Sequence, residues 1–238
     1  MCSFQALVRH PYAISAVSTL IHAAGTNLQA LIDACASSRI PDARVLRVFS
    51  NRKTAYGLTR AANATPPIPT DYLALQTYLK ANPDKSRVDY DLEVARKVLT
   101  AASDPGDDID LIVLAGWMHV LSPEFLDVFY GARPFDADTG RTVTRQIPII
   151  NLHPALPGAF DGARAIERAF EAYGKGEINH TGVMVHRVIG EVDRGEPIIV
   201  REVKIAPEDD LAALEQRIRN VEHDILIESV IKVLAELK

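Results

Sequence analysis

The sequence predicts an α/β fold, in which an open, mostly parallel sheet carries helices on both faces and ends in a carboxyl-terminal antiparallel hairpin. Segments with the period of a strand alternate along the chain with segments that have the period of a helix. Residues 110–116 contain a continuous apolar run, as expected of a strand buried on both faces of a parallel sheet. Two strand-like runs near the carboxyl terminus predict the hairpin, and the glycine-containing loop that joins them is expected to expose Asp193.

The amino-terminal half alternates short strands and helices. Its apolar spacing and its glycine and proline punctuation predict a strand at 14–21, a turn at 22–27, a helix at 28–34, a strand at 43–49, a helix at 56–64, and a short third strand or loop around Ile68. A helix with an apolar stripe follows at 87–102, and residues 104–108 end it.

The second half continues the alternation after the strand at 110–116. Ser122 and Pro123 predict the cap and first turn of a helix, and 131–146 is polar enough to be a surface insertion. Further elements are predicted as a strand at 147–152, a helix at 163–173, strands at 180–188 and 197–205, and a helix at 209–237. We therefore expect one Rossmann-like domain over 13–238, with 1–12 as an unplaced amino-terminal extension.

Composition narrows the class of protein. The 238 residues are 47% hydrophobic with a net charge of -5, which is typical of a globular enzyme and argues against a general nucleic-acid surface. Cys2 and Cys35 are too few for a disulfide framework, and neither has a metal-ligand spacing to a histidine. The sequence has neither a membrane-spanning apolar run nor the features of a signal peptide, so we expect a cytoplasmic protein.

Two short segments contain the residues that suggest chemistry. Asn151 and His153 end the apolar strand at 147–152, and the carboxyl ends of strands in open α/β sheets are where ligands bind. A capped core strand with a satisfied histidine is the alternative, and this stretch alone does not decide between the two. The turn before the first helix carries Gly25, Thr26 and Asn27, which suits an anion site at the helix amides, although plain capping explains it equally well.

Five motifs together give a specific resemblance. The motifs are Gly25-Thr26-Asn27-Leu28-Gln29-Ala30-Leu31, Ser50-Asn51-Arg52, Leu114-Ala115-Gly116-Trp117-Met118, Asn151-Leu152-His153-Pro154-Ala155-Leu156-Pro157-Gly158, and Asp193-Arg194-Gly195-Glu196-Pro197-Ile198. Their order and spacing resemble those of the phosphoribosylglycinamide formyltransferase family, the folate-dependent formyl transferases of de novo purine synthesis.

The resemblance implies a formyltransferase fold and an enzyme that moves a formyl group from 10-formyltetrahydrofolate to the amine of 5-phosphoribosylglycinamide. It implies small-molecule substrates, no metal, no nucleic acid or membrane partner, and a monomer or weak homodimer. By the same resemblance, Asn151 donates a hydrogen bond to the formyl oxygen. His153 stabilises that oxygen and moves a proton toward the leaving nitrogen, and Asp193 holds His153 protonated. A turn residue before Gly195 is the alternative interpretation of Asp193.

The resemblance also assigns the binding residues: the amino-terminal half binds the ribonucleotide phosphate and the carboxyl-terminal half contributes the folate site. Ribonucleotide contacts are expected from Gly25, Thr26, Asn27, Leu28, Arg219, Asn220, Val221 and Glu222. Folate contacts are expected from Arg87, Met118, His119, Val120, Leu121, Asn151, Ile189, Gly190, Glu191, Val192 and Asp193. An exposed arginine at a helix start is the alternative for Arg87.

Two departures from the family pattern stand in these segments. His22, Ala23 and Ala24 occupy the first turn, where the family usually carries a second glycine, and His119 replaces an arginine common in the bacterial enzymes. Other activities with the same trio are formyltetrahydrofolate hydrolase, which adds an amino-terminal regulatory domain, and methionyl-tRNA formyltransferase, which adds a tRNA-binding domain. We expect neither, because the chain has room for neither domain. A non-catalytic binding module is a further alternative, which the retained trio disfavours.

Overall fold

The computed structural model describes residues 15–100, 109–136 and 139–238, so the predicted extension at 1–12 and the predicted helix stop at 104–108 lie outside the described residues. In the described chain a seven-stranded sheet has the order β3-β2-β1-β4-β5-β6-β7. Its strands are β1 (Ser15–Ile21), β2 (Ala43–Ser50), β3 (Thr70–Tyr72), β4 (Leu111–Leu114), β5 (Ile149–His153), β6 (His180–Arg187) and β7 (Pro197–Lys204).

The strands β1 to β5 pair in parallel, whereas β6 pairs antiparallel with both β5 and β7. This confirms the predicted mostly parallel sheet with a carboxyl-terminal hairpin. The hairpin extends the sheet beyond β5, so residues of β6 lie directly beside the strand that carries Asn151 and His153.

Helices cover both faces of the sheet and form two apolar cores. The helices of the described residues are α1 (Thr26–Ala36), α2 (Tyr56–Ala62), α3 (Leu75–Ala81), α4 (Arg87–Thr100), α5 (Pro123–Phe129), α6 (Ala165–Gly174) and α7 (Leu211–Glu236). Buried residues of α1, α2 and α7 share one core with Leu111 and Val113 of β4, and those of α4 and α5 share the other with Ile112 and Leu114. The alternating side chains of β4 therefore point into both cores, as its apolar run predicts.

The elements agree with the predictions except for shifted ends and one missed helix. Of the two alternatives for Ile68 the structure has the loop, and the strand β3 begins after Pro69, because the three prolines over 66–69 cannot donate to a ladder, whereas the Pro69 carbonyl accepts from Val48. The short helix α3 was not predicted, since seven residues give little periodicity to detect. Helix α6 begins at Ala165 rather than at residue 163, because Arg164 is its N-cap at a φ of 59°.

The segment 131–146 is a surface insertion over its described residues, as predicted, but some of its side chains point inward. The Arg145 guanidinium donates to the carboxylate of Asp110, which is fully buried, and to the Ile109 carbonyl. The same carboxylate accepts from the amide of Ala16 at 2.8 Å. The insertion therefore supplies a cation to a carboxylate buried at the amino-terminal end of β4.

No helix of the described residues is both long and apolar enough to cross a membrane.

We expect Arg145→Ala to lower the free energy of unfolding by roughly 2 kcal/mol, because it removes a cationic partner from a buried carboxylate. Arg39→Ala is the matched control, since the Arg39–Asp224 pair is half exposed on both sides and such pairs contribute about 0 to 1 kcal/mol. Urea unfolding followed by circular dichroism measures both. Equal losses in the two variants would contradict a structural role for the insertion.

Candidate active site

A cavity of about 460 Å³ opens at the carboxyl ends of β1, β4 and β5, within the range of about 300 to 1,000 Å³ that is usual for small-molecule sites. It brings together most of the residues assigned from the sequence: Asn27, Met118, His119, Val120, Leu121, Asn151, His153, Ile189, Gly190, Glu191, Val192, Asp193 and Glu222. The described wall also includes Trp117, Pro154, 162–165, His186 and Val188. Parallel strands ending at one edge explain why distant sequence segments meet here.

The predicted trio lies together in this cavity. Asn151 and His153 stand two positions apart on β5, so both side chains leave the same face of the strand. The Asp193 carboxylate reaches them from the loop between β6 and β7: its Oδ2 lies 3.4 Å from His153 Nδ1, and its Oδ1 accepts from Asn151 Nδ2 at 3.2 Å. Pro154 follows β5 immediately and has no N–H with which to continue the ladder.

Asp193 is buried, although the sequence predicted an exposed position, and that prediction was wrong. Its side chain is 8% exposed, and its backbone takes a positive φ of 55°. The amide of Gly162 donates to Asp193 Oδ2 at 2.8 Å. Gly195 lets the hairpin loop pack this tightly, since a Cβ there would lie 1.6 Å from the Arg187 carbonyl oxygen. The loop therefore folds back over β5 and carries the carboxylate inward.

His186 belongs to the same cluster and was missed from the sequence. It pairs with Asn151 across the β5–β6 ladder, and its Nε2 lies 3.1 Å from Asn151 Nδ2 and 3.5 Å from Asp193 Oδ1. Its Nδ1 lies 2.9 Å from the Arg187 carbonyl oxygen, which accepts only from an N–H. Its Nε2 therefore faces both the Asn151 amide and the Asp193 carboxylate. The sequence carried no signal for this role, because the role depends on the register between two strands.

Burial is the largest single influence on the pKa of both His153 and Asp193, but it sets the direction of the shift only for His153. The pKa of His153 is lowered from 6.5, first by burial and then by His186, although Asp193 and Asp161 raise it in part. Burial raises the pKa of Asp193, but contacts with His186, Gly162 and His153 together lower it below 3.8. Asp193 does favour the imidazolium, as expected, but the resting His153 is biased toward its neutral form. His153 Nε2 is buried without a hydrogen-bond partner among the described residues.

One end of the cavity, where ribonucleotide contacts are expected from the sequence, is formed by two polar groups: Asn27, which is buried, and Glu222, which is half-buried. Asn27 Nδ2 donates to Glu222 Oε2 at 3.3 Å, and Asn27 Oδ1 is buried without a described partner. Burial raises the pKa of Glu222. The other residues assigned here do not line the cavity: Leu28 is a core residue, Val221 is half-buried, Arg219 and Asn220 are exposed, and Thr26 faces a separate groove between α1 and α7.

Gly25 is the N-cap of α1 at a φ of 69°, and it supplies no side-chain cap for the first-turn amides of that helix. A Cβ at this position would lie 2.8 Å from the Gly57 Cα, so the glycine is required by packing against α2. Substituting Gly25 would therefore disturb this contact whether or not the turn binds an anion. His22 lies in the same turn, and its Nδ1 is 2.8 Å from Asn51 Oδ1.

The other end of the cavity, where folate contacts are expected from the sequence, has an apolar rim. Met118, Val120, Ile189 and Val192 are large hydrophobic residues that remain 43 to 57% exposed there. Such clustered exposure indicates a binding surface rather than scattered surface residues. The Val188 carbonyl accepts from the Tyr130 hydroxyl at 2.6 Å and anchors the start of the loop that carries two of these residues.

His119 and Arg87 are held by the protein at this end. His119 Nε2 lies 2.6 Å from Asp91 Oδ1, and Asp91 is fully buried and also accepts from the Ser122 amide. The Arg87 guanidinium donates to the Val120 carbonyl and lies outside the cavity wall. The substitution of histidine for arginine therefore exchanges a long cation for a ring fixed by a buried carboxylate.

Comparison with known proteins places this arrangement in a family. The sequence matches the formyl transferase family over residues 16–132 and 140–230. The chain belongs to the formyl transferase family. Phosphoribosylglycinamide formyltransferase of Schizosaccharomyces pombe is 46% identical to it over 94% of this chain and 100% of the relative. The protein of the same name from Dictyostelium discoideum is 45% identical over 90% of this chain and 95% of the relative.

Two solved structures lead to the same family assignment. Phosphoribosylglycinamide formyltransferase from Bacillus halodurans superposes with a TM-score of 0.74 at 27% identity and covers 94% of this chain and 97% of its own. Glycinamide ribonucleotide transformylase 1 from Symbiobacterium toebii gives 0.72 at 30% identity and covers 93% and 87%. The predicted family and fold of this formyl transferase are thus confirmed, and the family implies small-molecule substrates and a folate-type formyl donor.

No group of three or more His, Cys, Asp or Glu side chains in the described part of this formyl transferase is arranged to hold a metal ion. Cys35 is half-buried, and burial raises its pKa to about 11. A thiol protonated at neutral pH is a poor nucleophile.

We expect Asp193→Asn to lower the pKa of His153, because the substitution removes a nearby negative charge that favours the imidazolium. Titration of the histidine ring signals by nuclear magnetic resonance measures this directly. Glu191→Gln is the control, since Glu191 also lines the cavity but is exposed, and it should leave the His153 titration unchanged. A raised or unchanged His153 pKa in Asp193→Asn would contradict the proposed electrostatic contact.

Proposed function

We propose that this formyl transferase moves the formyl group of 10-formyltetrahydrofolate to the amine of 5-phosphoribosylglycinamide, a step of purine biosynthesis. The observation that carries the proposal is the position of the Asn151, His153 and Asp193 cluster. It lies in one cavity between an apolar rim and a polar end formed by Asn27 and Glu222. A pteridine suits the first end and a ribose suits the second. The names of the full-length relatives in fission yeast and Dictyostelium support the same substrate.

In the proposed reaction the amine of the ribonucleotide attacks the formyl carbon and forms a tetrahedral intermediate. Negative charge collects on the former carbonyl oxygen while the attacking nitrogen becomes positive. The amine then loses a proton, the leaving N10 nitrogen of the folate gains one, and the bond between N10 and the formyl carbon breaks. No covalent bond to the enzyme is needed, so the protein has to stabilise the oxyanion and move one proton.

Asn151 is proposed as the oxyanion donor. Its amide nitrogen already faces Asp193 and His186, so an N–H is oriented before substrate arrives. An acceptor oxygen placed in this cluster replaces one of those partners without reorienting the amide. Oriented donors of this kind contribute about 2.7 to 4 kcal/mol to stabilisation of the transition state.

His153 is proposed to carry the proton. Its neutral resting form, with Nε2 unpaired, can accept a proton from the attacking amine directly or through water and then donate it to N10. Asp193 faces Nδ1 and stabilises the imidazolium that exists between the two transfers. This assignment refines the expectation that Asp193 holds the resting histidine protonated, because burial outweighs that charge before the reaction begins.

The substrates are proposed to enter from opposite ends. Glu222 accepts hydrogen bonds from the ribose hydroxyls, with Asn27 beside it, and the free amides at the start of α1 receive the phosphate. The segments 118–121 and 189–192 receive the pteridine, and Arg87 lies near its glutamate tail. We further propose a cytoplasmic protein that is a monomer or weak homodimer and whose chemistry needs no metal.

We expect the purified protein to form formylglycinamide ribonucleotide from 10-formyltetrahydrofolate and the ribonucleotide, and we expect His153→Ala to lower kcat by about 10² to 10⁴-fold. Asn151→Ala should lower it by about 10² to 10³-fold. Thermal unfolding of both variants checks that they remain folded. Hydrolysis of the folate without transfer, or normal turnover by folded His153→Ala, would contradict the proposal.

For the ribonucleotide end, we expect Glu222→Gln to raise KM for the ribonucleotide by about tenfold while KM for the folate stays within twofold. The reason is that an amide accepts fewer hydrogen bonds from hydroxyls than a carboxylate does. Each hydrogen bond to a charged group contributes about 1.5 to 3 kcal/mol to binding. Glu191→Gln, at the folate end of the same cavity, is the matched control and should leave the ribonucleotide KM unchanged. Equal changes in both Michaelis constants for Glu222→Gln would argue against a ribose contact.

A further inference from the structure

Two loops meet over the active site and are bonded at adjacent positions. One loop follows β5 and contains Asp161 and Gly162, and the other joins β6 to β7 and contains Asp193 and Arg194. The Gly162 amide donates to Asp193 Oδ2 at 2.8 Å. The next residue on the second loop, Arg194, pairs with the preceding residue on the first, Asp161, and Arg194 Nη2 lies 2.6 Å from Asp161 Oδ2. The ion pair and the hydrogen bond to the catalytic carboxylate therefore lie side by side.

Both loops hold strained backbone near these contacts. Phe160, Arg164 and Asp193 have φ between 52° and 59°, a region that non-glycine residues seldom occupy. Local sequence does not favour such conformations, so tertiary contacts must maintain them. The Arg168 guanidinium on α6 provides one such contact, since it donates to the carbonyls of Phe160 and Asp161.

The Asp161 carboxylate is placed to act between the loops rather than as an exposed surface charge. Its side chain is 28% exposed, and its Oδ1 is buried without a described partner. The Arg194 guanidinium reaches the Asp161 carboxylate by lying over the first loop. A Cβ at Gly158 of that loop would be 3.7 Å from Arg194 Nη1. Two of the described contacts between the loops therefore lie beside the trio. They are this ion pair and the hydrogen bond from the Gly162 amide to Asp193.

We propose that Asp161 and Arg194 form a strap that positions Asp193 against His153. Both are positioning residues, because neither touches the reacting atoms in the proposed reaction. The inference rests on the proposed function, since Asp193 matters through its effect on His153. The strap fixes the two loops relative to each other, and the Gly162 amide can then hold Asp193 Oδ2 in the direction of His153 Nδ1.

A double-mutant cycle on turnover tests the strap. We expect Arg194→Gln and Asp161→Asn each to lower kcat by about threefold to tenfold with both Michaelis constants within twofold, and the double variant to be no worse than the more affected single variant. Arg194→Lys, which keeps the charge, should recover most of the loss. Arg201→Gln is the matched control and should have wild-type kcat, because it breaks a comparably exposed pair with Glu228 away from the cavity. Additive losses, or losses no larger than that of the control, would overturn the strap.

Hydrogen exchange of the Gly162 amide gives a test that does not depend on activity. We expect Arg194→Gln to accelerate this exchange by at least threefold and Arg201→Gln to leave it unchanged, because only the first releases the loop whose amide is bonded to Asp193. Unchanged exchange in Arg194→Gln would overturn the strap even if turnover falls. If the wild-type protein fails to formylate the ribonucleotide but the exchange difference is present, the proposed function fails and the strap stands.

Discussion

The buried carboxylate of Asp193 is the group on which the arrangement of the active site depends. It contacts Asn151, His153, His186 and the Gly162 amide, so it connects two strands and two loops through one side chain. Burying an ionised carboxylate is costly unless donors surround it. These contacts provide the donors and lower its pKa despite burial. The same contacts orient the amide and the imidazole that are proposed to perform the reaction.

The sheet contributes to catalysis by placing unlike groups on either side of this carboxylate. The loop after β1 and the helix α7 bring Asn27 and Glu222 to one end of the cavity, while the loops after β4 and β6 form the apolar rim at the other. Buried polar groups with unused hydrogen-bonding capacity are expensive in a folded protein, and a substrate that satisfies them recovers that energy. Asn27 Oδ1 and His153 Nε2 are two such atoms in this cavity.

The departures from the family pattern have structural explanations in this chain. His119 stands where bacterial relatives commonly have arginine, and a buried carboxylate, Asp91, holds its ring against Tyr90 and Trp117. The first turn retains one glycine, and Gly25 with Gly57 allows the turn and α2 to approach closely.

The sequence was enough to predict the alternation of strands and helices apart from the short α3, the burial of β4 on both faces, the hairpin and the family, because hydrophobic period and motif spacing are local properties. It also indicated Asn151, His153 and Asp193 through their motifs. The burial of the Asp193 side chain, the position of His186 in the cluster, and the places of Arg219 and Arg87 outside the cavity wall could not be predicted in this way. These facts depend on strand register and loop packing, which act between residues far apart in the chain. Burial, which sets the direction of the His153 pKa, likewise follows from the assembled fold.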